Sequence, residues 1–306
     1  MILSWIAAAL SRMVSYGTPL LLGTLGEIYA ERSGVLNLGV EGMMILGAVS
    51  AFATAYTTGN PWLALLAAAA AGGLSSLIHG FFSISLRANQ VISGLALTMF
   101  GLGLSGLFGK GFAGLPLDNP LPKVTVPLLA EVPLLGTALF QDKSPLIYLG
   151  ILLTPVLWFL LFRTSLGVNI RSVGENPAAA DAAGLNVWRI RYGCVFFGGV
   201  MAGLAGGFLS VAYRPAWTQG MTSGMGWIVV ALTIFASWNP TRGLFGAYFF
   251  GLLFYLSYRL QPWLAPEILQ MAPYLGAVLA LVLINLFQKR KGGPEALMEP
   301  YKRGEK

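Results

Sequence analysis

Apolar runs of roughly 15–25 residues recur along almost the whole chain, each long enough to cross a hydrocarbon core of about 30 Å as an α-helix. Between them the sequence is poor in charge. Only 10% of its 306 residues are Asp, Glu, Lys or Arg and 56% are apolar, whereas a soluble domain carries about 25% charged residues. With so few charges the chain has nothing to cover a water-facing surface, and its mean hydropathy of +0.71 agrees. The apolar strands of soluble α/β proteins are short and bounded by polar helices, which these runs are not. The expected fold is an all-α integral membrane protein, a bundle of about eight to ten transmembrane helices.

Candidate spans cover 16–30, 41–58, 62–86, 91–109, 144–162, 189–212, 219–237, 243–260 and 269–288, with 2–15 as a further short or interfacial helix. Met1 to Leu10 has no basic leader and no obvious small-residue cleavage site, so it is read as part of the mature protein. Orientation follows from Lys and Arg near the spans. Lys289, Arg290, Lys291, Lys302, Arg303 and Lys306 place the C-terminus in the cytoplasm. Counting back, 163–188 and the Arg87 turn also lie inside, while loop 110–143 and the N-terminus lie outside. Arg214 and Arg259 fall on the outer side and run against the rule. The chain thus divides into a transmembrane domain, 1–288, and a basic cytoplasmic tail, 289–306.

Several chemistries are excluded. With one cysteine (Cys194) and one histidine (His79), no internal disulfide forms and no zinc site is assembled from Cys and His alone. The basic residues lie at the ends of apolar runs without a basic-aromatic patch, which is topology control and not nucleic-acid binding. Gly109-Lys110-Gly111 fails as a phosphate loop, because position 104 is Leu and no Ser or Thr follows the lysine. Gly220-Met221-Thr222-Ser223-Gly224 has the wrong spacing for a nucleophile elbow. The chain is not an enzyme by itself, and if its work consumes ATP another chain hydrolyses it.

Two segments stand out. In 163–188, Asn176 suits an N-cap, Pro177 the first helical position, Ala178 to Ala183 the helix, and Gly184 a left-handed C-terminal cap. That predicts about two turns of helix with small side chains, too short to persist in water without docking on something. In 31–47, Asn37, Glu41 and several glycines stand where a span begins or continues, predicting a broken or re-entrant segment near 31–42. Such a break survives at membrane depth only inside protein or beside a wet cavity. Glu41 then either serves the cavity, or sits solvated at the cytoplasmic interface, or pairs with Arg32.

The stretch Gly174-x-Asn176-Pro177-x-Ala-Ala-x-x-Ala-Gly184, followed by a Gly/Ala-rich span, resembles the coupling-helix motif of permease subunits in ATP-binding-cassette importers. Ser33-Gly-Val-Leu-Asn-Leu-Gly-Val-Glu-Gly-Met-Met44 is similar to the nucleoside and ribose-like sugar branch of that family, and unlike the amino-acid branch. Arg87-Ala-Asn89-Gln90-Val-Ile-Ser93-Gly94-Leu-Ala-Leu and Gly226 through Asn239-Pro240 look like the same family. The resemblance implies that Gly174, Glu175, Asn176, Pro177, Ala180, Asp181 and Gly184 contact or shape an ATPase cleft. It implies cytosolic ATPase subunits that hold ATP and magnesium, a second permease subunit, an extracytoplasmic binding protein and a bacterial plasma-membrane location. No cofactor is expected on this chain itself.

The candidate substrate pathway is Asn37, Glu41, Asn89, Gln90 and Ser93. Gly199, Gly203 and Gly207 share one face of a span and predict close helix packing, within this subunit rather than between subunits. His79, with Ser75, Ser76 and Ser83 nearby, is read as a hydrogen-bonded packing residue, and Cys194 as a small packing residue. Glu27 either lines the pathway or lies near the inner surface beside Glu31 and Arg32. Trp62, Trp217, Trp238 and Trp263 are read as interfacial anchors. Two rival readings remain. One is a self-sufficient carrier driven by an ion gradient, for which Glu27 and Glu41 are the only acidic candidates. The other is a branched-chain amino-acid permease of the same superfamily.

Overall fold

The computed structural model describes residues 2–265, 268, 269, 271, 275, 276, 278, 279, 282 and 292–304. Its long elements are helices. They are α1 (Ile2–Arg32), α2 (Val40–Thr58), α3 (Pro61–Gly80, continued by a π turn to Ser85) and α4 (Gln90–Gly109). A four-residue α5 (Pro127–Ala130) lies in the long loop, followed by α6 (Pro145–Arg163), α7 (Ser165–Glu175) and α8 (Pro177–Ala182). Then come α9 (Val187–Phe208, extended by a π turn to Tyr213), α10 (Met225–Phe235) and α11 (Pro240–Arg259). Among the described residues five helices are long and apolar enough to cross a membrane: Val40–Thr58, Pro61–Ser85, Gln90–Phe112, Pro145–Arg163 and Val187–Tyr213. The predicted span 269–288 lies largely outside the described residues.

The helix starts are written in the sequence. Asn60-Pro61, Ser144-Pro145, Asn176-Pro177 and Asn239-Pro240 each combine a side-chain cap with proline at the first position. There the missing proline N–H costs nothing and the cap oxygen satisfies one orphan donor. Asn60 Oδ1, for example, accepts from the N–H groups of Trp62 (3.0 Å) and Leu63 (3.2 Å).

Three expectations change. Segment 2–15 is not a separate element: it continues through Pro19 into a single 31-residue helix, about 46 Å long. The span expected from 219 begins only at Met225, because 219–224 forms turns with Gly220 and Gly224 at positive φ. And 165–175, for which no element is expected, is the amphipathic helix α7, with Gly167, Ile170, Val173 and Gly174 on its buried side.

The bundle is built around α9. Its glycines let neighbouring backbones approach to van der Waals contact, which in lipid takes the place of a hydrophobic driving force between helices. A Cβ on Gly199 would collide with the Gly72 carbonyl of α3, one on Gly203 with the Ala68 carbonyl, and one on Gly206 with the Met44 carbonyl of α2. Gly207 lies over Ala68 and Ala51, and Gly26 of α1 faces Gly198. The Gly199/Gly203/Gly207 face is therefore an interface within this chain. Large apolar side chains on the outer helices point away from it, among them Leu66, Met99, Leu107, Leu152 and Phe245, each more than 60% exposed, as a lipid-facing surface requires.

Gly203→Leu should lower the melting temperature of the detergent-solubilised protein sharply, because overpacking against backbone exceeds the usual cost of about 1–3 kcal/mol. Gly193 lies on the same helix but a Cβ there meets nothing within 4 Å, so Gly193→Leu should melt like the parent. Equal melting of the two variants would contradict the packing.

Candidate functional site

At the α7–α8 corner the local reading of 163–188 is realised atom by atom. Asn176 Oδ1 accepts the Ala179 N–H at 2.9 Å, Pro177 opens α8, and Gly184 closes it at φ +86° with its N–H on the Asp181 carbonyl. Ala178, Ala179, Ala182, Ala183 and Gly184 are exposed, a surface of small side chains. Ala180 faces the other way. It is buried with Val173 of α7 and Val187 of α9, which is how so short a helix is held. Glu175 and Asn176 are exposed, and Gly174 is buried so tightly that a Cβ would strike the Arg32 carbonyl at the end of α1. The small-residue surface is thus joined by backbone contact to the helix that precedes the break.

The break itself spans Ser33 to Gly39, with Gly34 at φ +90°. Its backbone groups are met by side chains from several helices. The Leu36 N–H donates to Gln90 Oε1 (2.8 Å), the Asn37 N–H to Glu27 Oε1 (3.1 Å) and the Gly39 N–H to Asn37 Oδ1 (3.0 Å). The Leu36 carbonyl accepts from His79 Nε2 (3.0 Å), the Leu38 carbonyl from Thr98 Oγ1 (3.0 Å) and the Ser33 carbonyl from Arg191 Nε (3.2 Å). A carbonyl only accepts, so His79 carries its proton on Nε2, and in a neutral ring Nδ1 accepts from Ser93, 3.1 Å away.

The sequence-derived pathway set therefore separates. Asn37, Gln90 and Ser93 come together around 36–39, the first two directly and Ser93 through His79. Asn89 is exposed and caps α4 through the N–H groups of Val91 and Ile92. Glu41 turns to α10, and is neither solvated nor paired with Arg32. It is 4% exposed, and its carboxylate accepts from Thr222 Oγ1 (2.6 Å) and the N–H groups of Gly224 (2.9 Å) and Gly226 (2.7 Å). Gly226 approaches so closely that a Cβ would overlap the Glu41 backbone. A carboxylate at a helix start meets both the orphan donors and the positive end of the dipole.

The other end of α10 is held from α1. Trp238 Nε1 donates to Glu31 Oε2, and the Arg32 guanidinium donates to the carbonyls of Ser237 and Trp238, both at 3.3 Å. Ser237 and Trp238 are non-glycine residues at φ +51° and +53°, a conformation that costs about 1–2 kcal/mol each and needs such partners. Glu31 and Glu41 flank the break and grip the two ends of one helix. Sequence reading missed this, although a pair of acids ten residues apart around a glycine-rich stretch was visible.

Residues 9–287 match the family of permease components of branched-chain amino acid transport systems. A Haloferax volcanii protein provisionally assigned as a glucose ABC transporter permease is 42% identical, over 98% of this chain and 99% of its own. The guanosine ABC transporter permease of Bacillus subtilis is 39% identical, over 95% of each chain. The nucleoside ABC transporter permease of Lactococcus lactis is 32% identical, over 94% of each.

Glu41→Leu should leave the Gly224 and Gly226 N–H groups buried without acceptors, at about 1–3 kcal/mol each. Thermal melting of the purified protein should fall by several degrees, and Glu41→Gln, which keeps one acceptor oxygen, should fall less. Unchanged melting in both would show that α10 does not depend on the carboxylate. The chain is a multi-pass membrane protein of the branched-chain amino acid transport system permease family, a transport subunit and not an enzyme.

Proposed function

We propose that this chain forms the membrane pathway of an ATP-binding-cassette importer for nucleosides or simple sugars. The observation that carries it is the α8 corner, a short capped helix with an exposed small-residue face and a backbone tie to the end of α1. In this reading cytosolic ATPase subunits, which hold the ATP and magnesium, dock on Glu175, Asn176, Pro177 and the exposed alanines. Their closure displaces α7–α8 and, through Gly174 against Arg32, the end of α1. A second permease subunit completes the pathway, and an extracytoplasmic binding protein delivers substrate. The face bearing α8 is the cytoplasmic one, in a plasma membrane.

The nucleoside or sugar class is supported by the names of the three relatives and by the string from Ser33 to Met44, against the amino-acid substrate in the family's description. Asn37, Glu41, Gln90 and Ser93 serve the pathway by shaping it, since their hydrogen bonds hold the break and α10.

Two experiments test the reading. In membranes expressing the whole system, uptake of labelled guanosine or glucose should be competed by unlabelled nucleoside or sugar and not by leucine. It should stop when ATP is depleted with the proton gradient intact. Uptake that survives ATP depletion but collapses with the gradient would make the chain an ion-driven carrier. Separately, Gly184→Trp should abolish uptake while the chain stays in the membrane, because the indole projects where the partner docks. Gly184→Ala adds a methyl into open space and only strains φ, by about 1 kcal/mol, and should retain most uptake.

A further inference from the structure

The C-terminal tail packs on the same face as α8. Ala296 is buried, and its N–H donates to the Gly174 carbonyl at 2.9 Å. The Met298 N–H donates to the Gly34 carbonyl at 3.2 Å, and the Glu299 carbonyl accepts from Arg191 Nη1 at 3.1 Å. Arg191 is 1% exposed, so the segment covers a buried cation and ties the Ser33–Gly34 turn to the end of α7. Tyr301 packs on the Val173–Ala180–Val187 cluster, and Arg303 Nε lies 3.2 Å from Asp181 Oδ2 on α8 itself.

This placement creates a pocket of about 510 Å³ beside α8. One wall is Asp181, Gly184 and the start of α9 with Trp188. The other is Tyr301, Lys302 and Arg303, and Arg87 from the α3–α4 turn closes the end. Three cationic residues and one carboxylate line it, and the carboxylate is already engaged by Arg303. Trp188, 46% exposed, adds an apolar surface.

We propose that the ATPase docking surface is composite, with the chain's own C-terminal segment as its second wall, and that the pocket receives an acidic side chain of the ATPase beside an apolar one. This rests on the reading of α8 as the docking helix. The excess positive charge favours a carboxylate, a partly enclosed site lets that charge act more strongly than on an open surface, and the indole accepts an apolar neighbour. Three hydrogen bonds and one ion pair hold the segment in register, so the wall is built before the partner arrives, which lowers the ordering cost of association.

The test measures binding of the purified ATPase subunit to the full-length permease in lipid nanodiscs, across a range of salt. Arg87→Glu/Lys302→Glu, which leaves the Arg303–Asp181 pair in place, should weaken binding at least 10-fold at low salt and flatten its salt dependence, while melting stays at the parent value. Arg87→Glu alone should act in the same direction. Parental affinity in both variants would overturn the proposal, and so would loss of binding that merely follows loss of the fold, which the melting curve reports. Gly184→Trp is the control for the underlying reading. If it binds the ATPase normally, α8 is not the docking helix and that reading fails. If it loses binding while the charge reversals keep it, α8 docks and only the composite wall is wrong.

Discussion

A chain that interrupts a helix inside a membrane must find new partners for every backbone group it releases, because lipid offers none. In this protein that requirement falls on the seven residues Ser33 to Gly39, and it accounts for six of the buried polar side chains. Glu27 of α1, His79 of α3, Gln90 and Thr98 of α4 and Arg191 of α9 each give a hydrogen bond to this one stretch, and Asn37 bonds back onto it. Leaving such a group unpaired costs about 1–3 kcal/mol. Four helices are thereby required to agree on the position of one loop.

The same break explains α10. At 11 residues it is too short to span the bilayer, and the orphan groups at its ends are met by side chains from other helices. Glu41 meets the N-terminal donors, and Arg32 meets the carbonyls just beyond the last turn. Glu31 fixes the Trp238 ring that holds the left-handed exit. The irregular strand between α1 and α2 and the short helix opposite it are thus one structural unit, each supplying what the other lacks.

How much of this was legible depended on range. Features set by neighbours in sequence were readable: the Asn176-Pro177 start and Gly184 stop of α8, the glycine face of α9, and the break before Glu41. The helix α7 was hidden because Gly167 and Gly174 weaken its propensity, and they are glycine for close approach to the Leu161 and Arg32 carbonyls. The role of Glu41 was hidden for another reason. Its partners are Thr222, Gly224 and Gly226, some 180 residues away, and nothing local says that a glycine will bring its N–H to a distant carboxylate. The basic tail suggested only a solvated end, since hydrogen bonds through the backbone of Ala296 and Met298 leave no mark on residue type.

These two kinds of contact also divide the bundle mechanically. Where α9 meets α3 and α2, glycine sets backbone against backbone, and sliding by even part of a residue would drive carbonyls into Cα atoms. That interface moves as one piece or not at all. Around 33–39 most hydrogen-bond partners are side-chain tips on different helices, each bond worth about 0.5–1.5 kcal/mol net, although Gly94 also packs against the Leu38 and Gly39 backbone. Gly174 of α7 lies in backbone contact with the Arg32 carbonyl at the end of α1, immediately before the break. The break therefore lies where the close-packed α2–α3–α9 block adjoins α10 and the residues that grip it, and its polar side chains satisfy the backbone groups that the interruption releases.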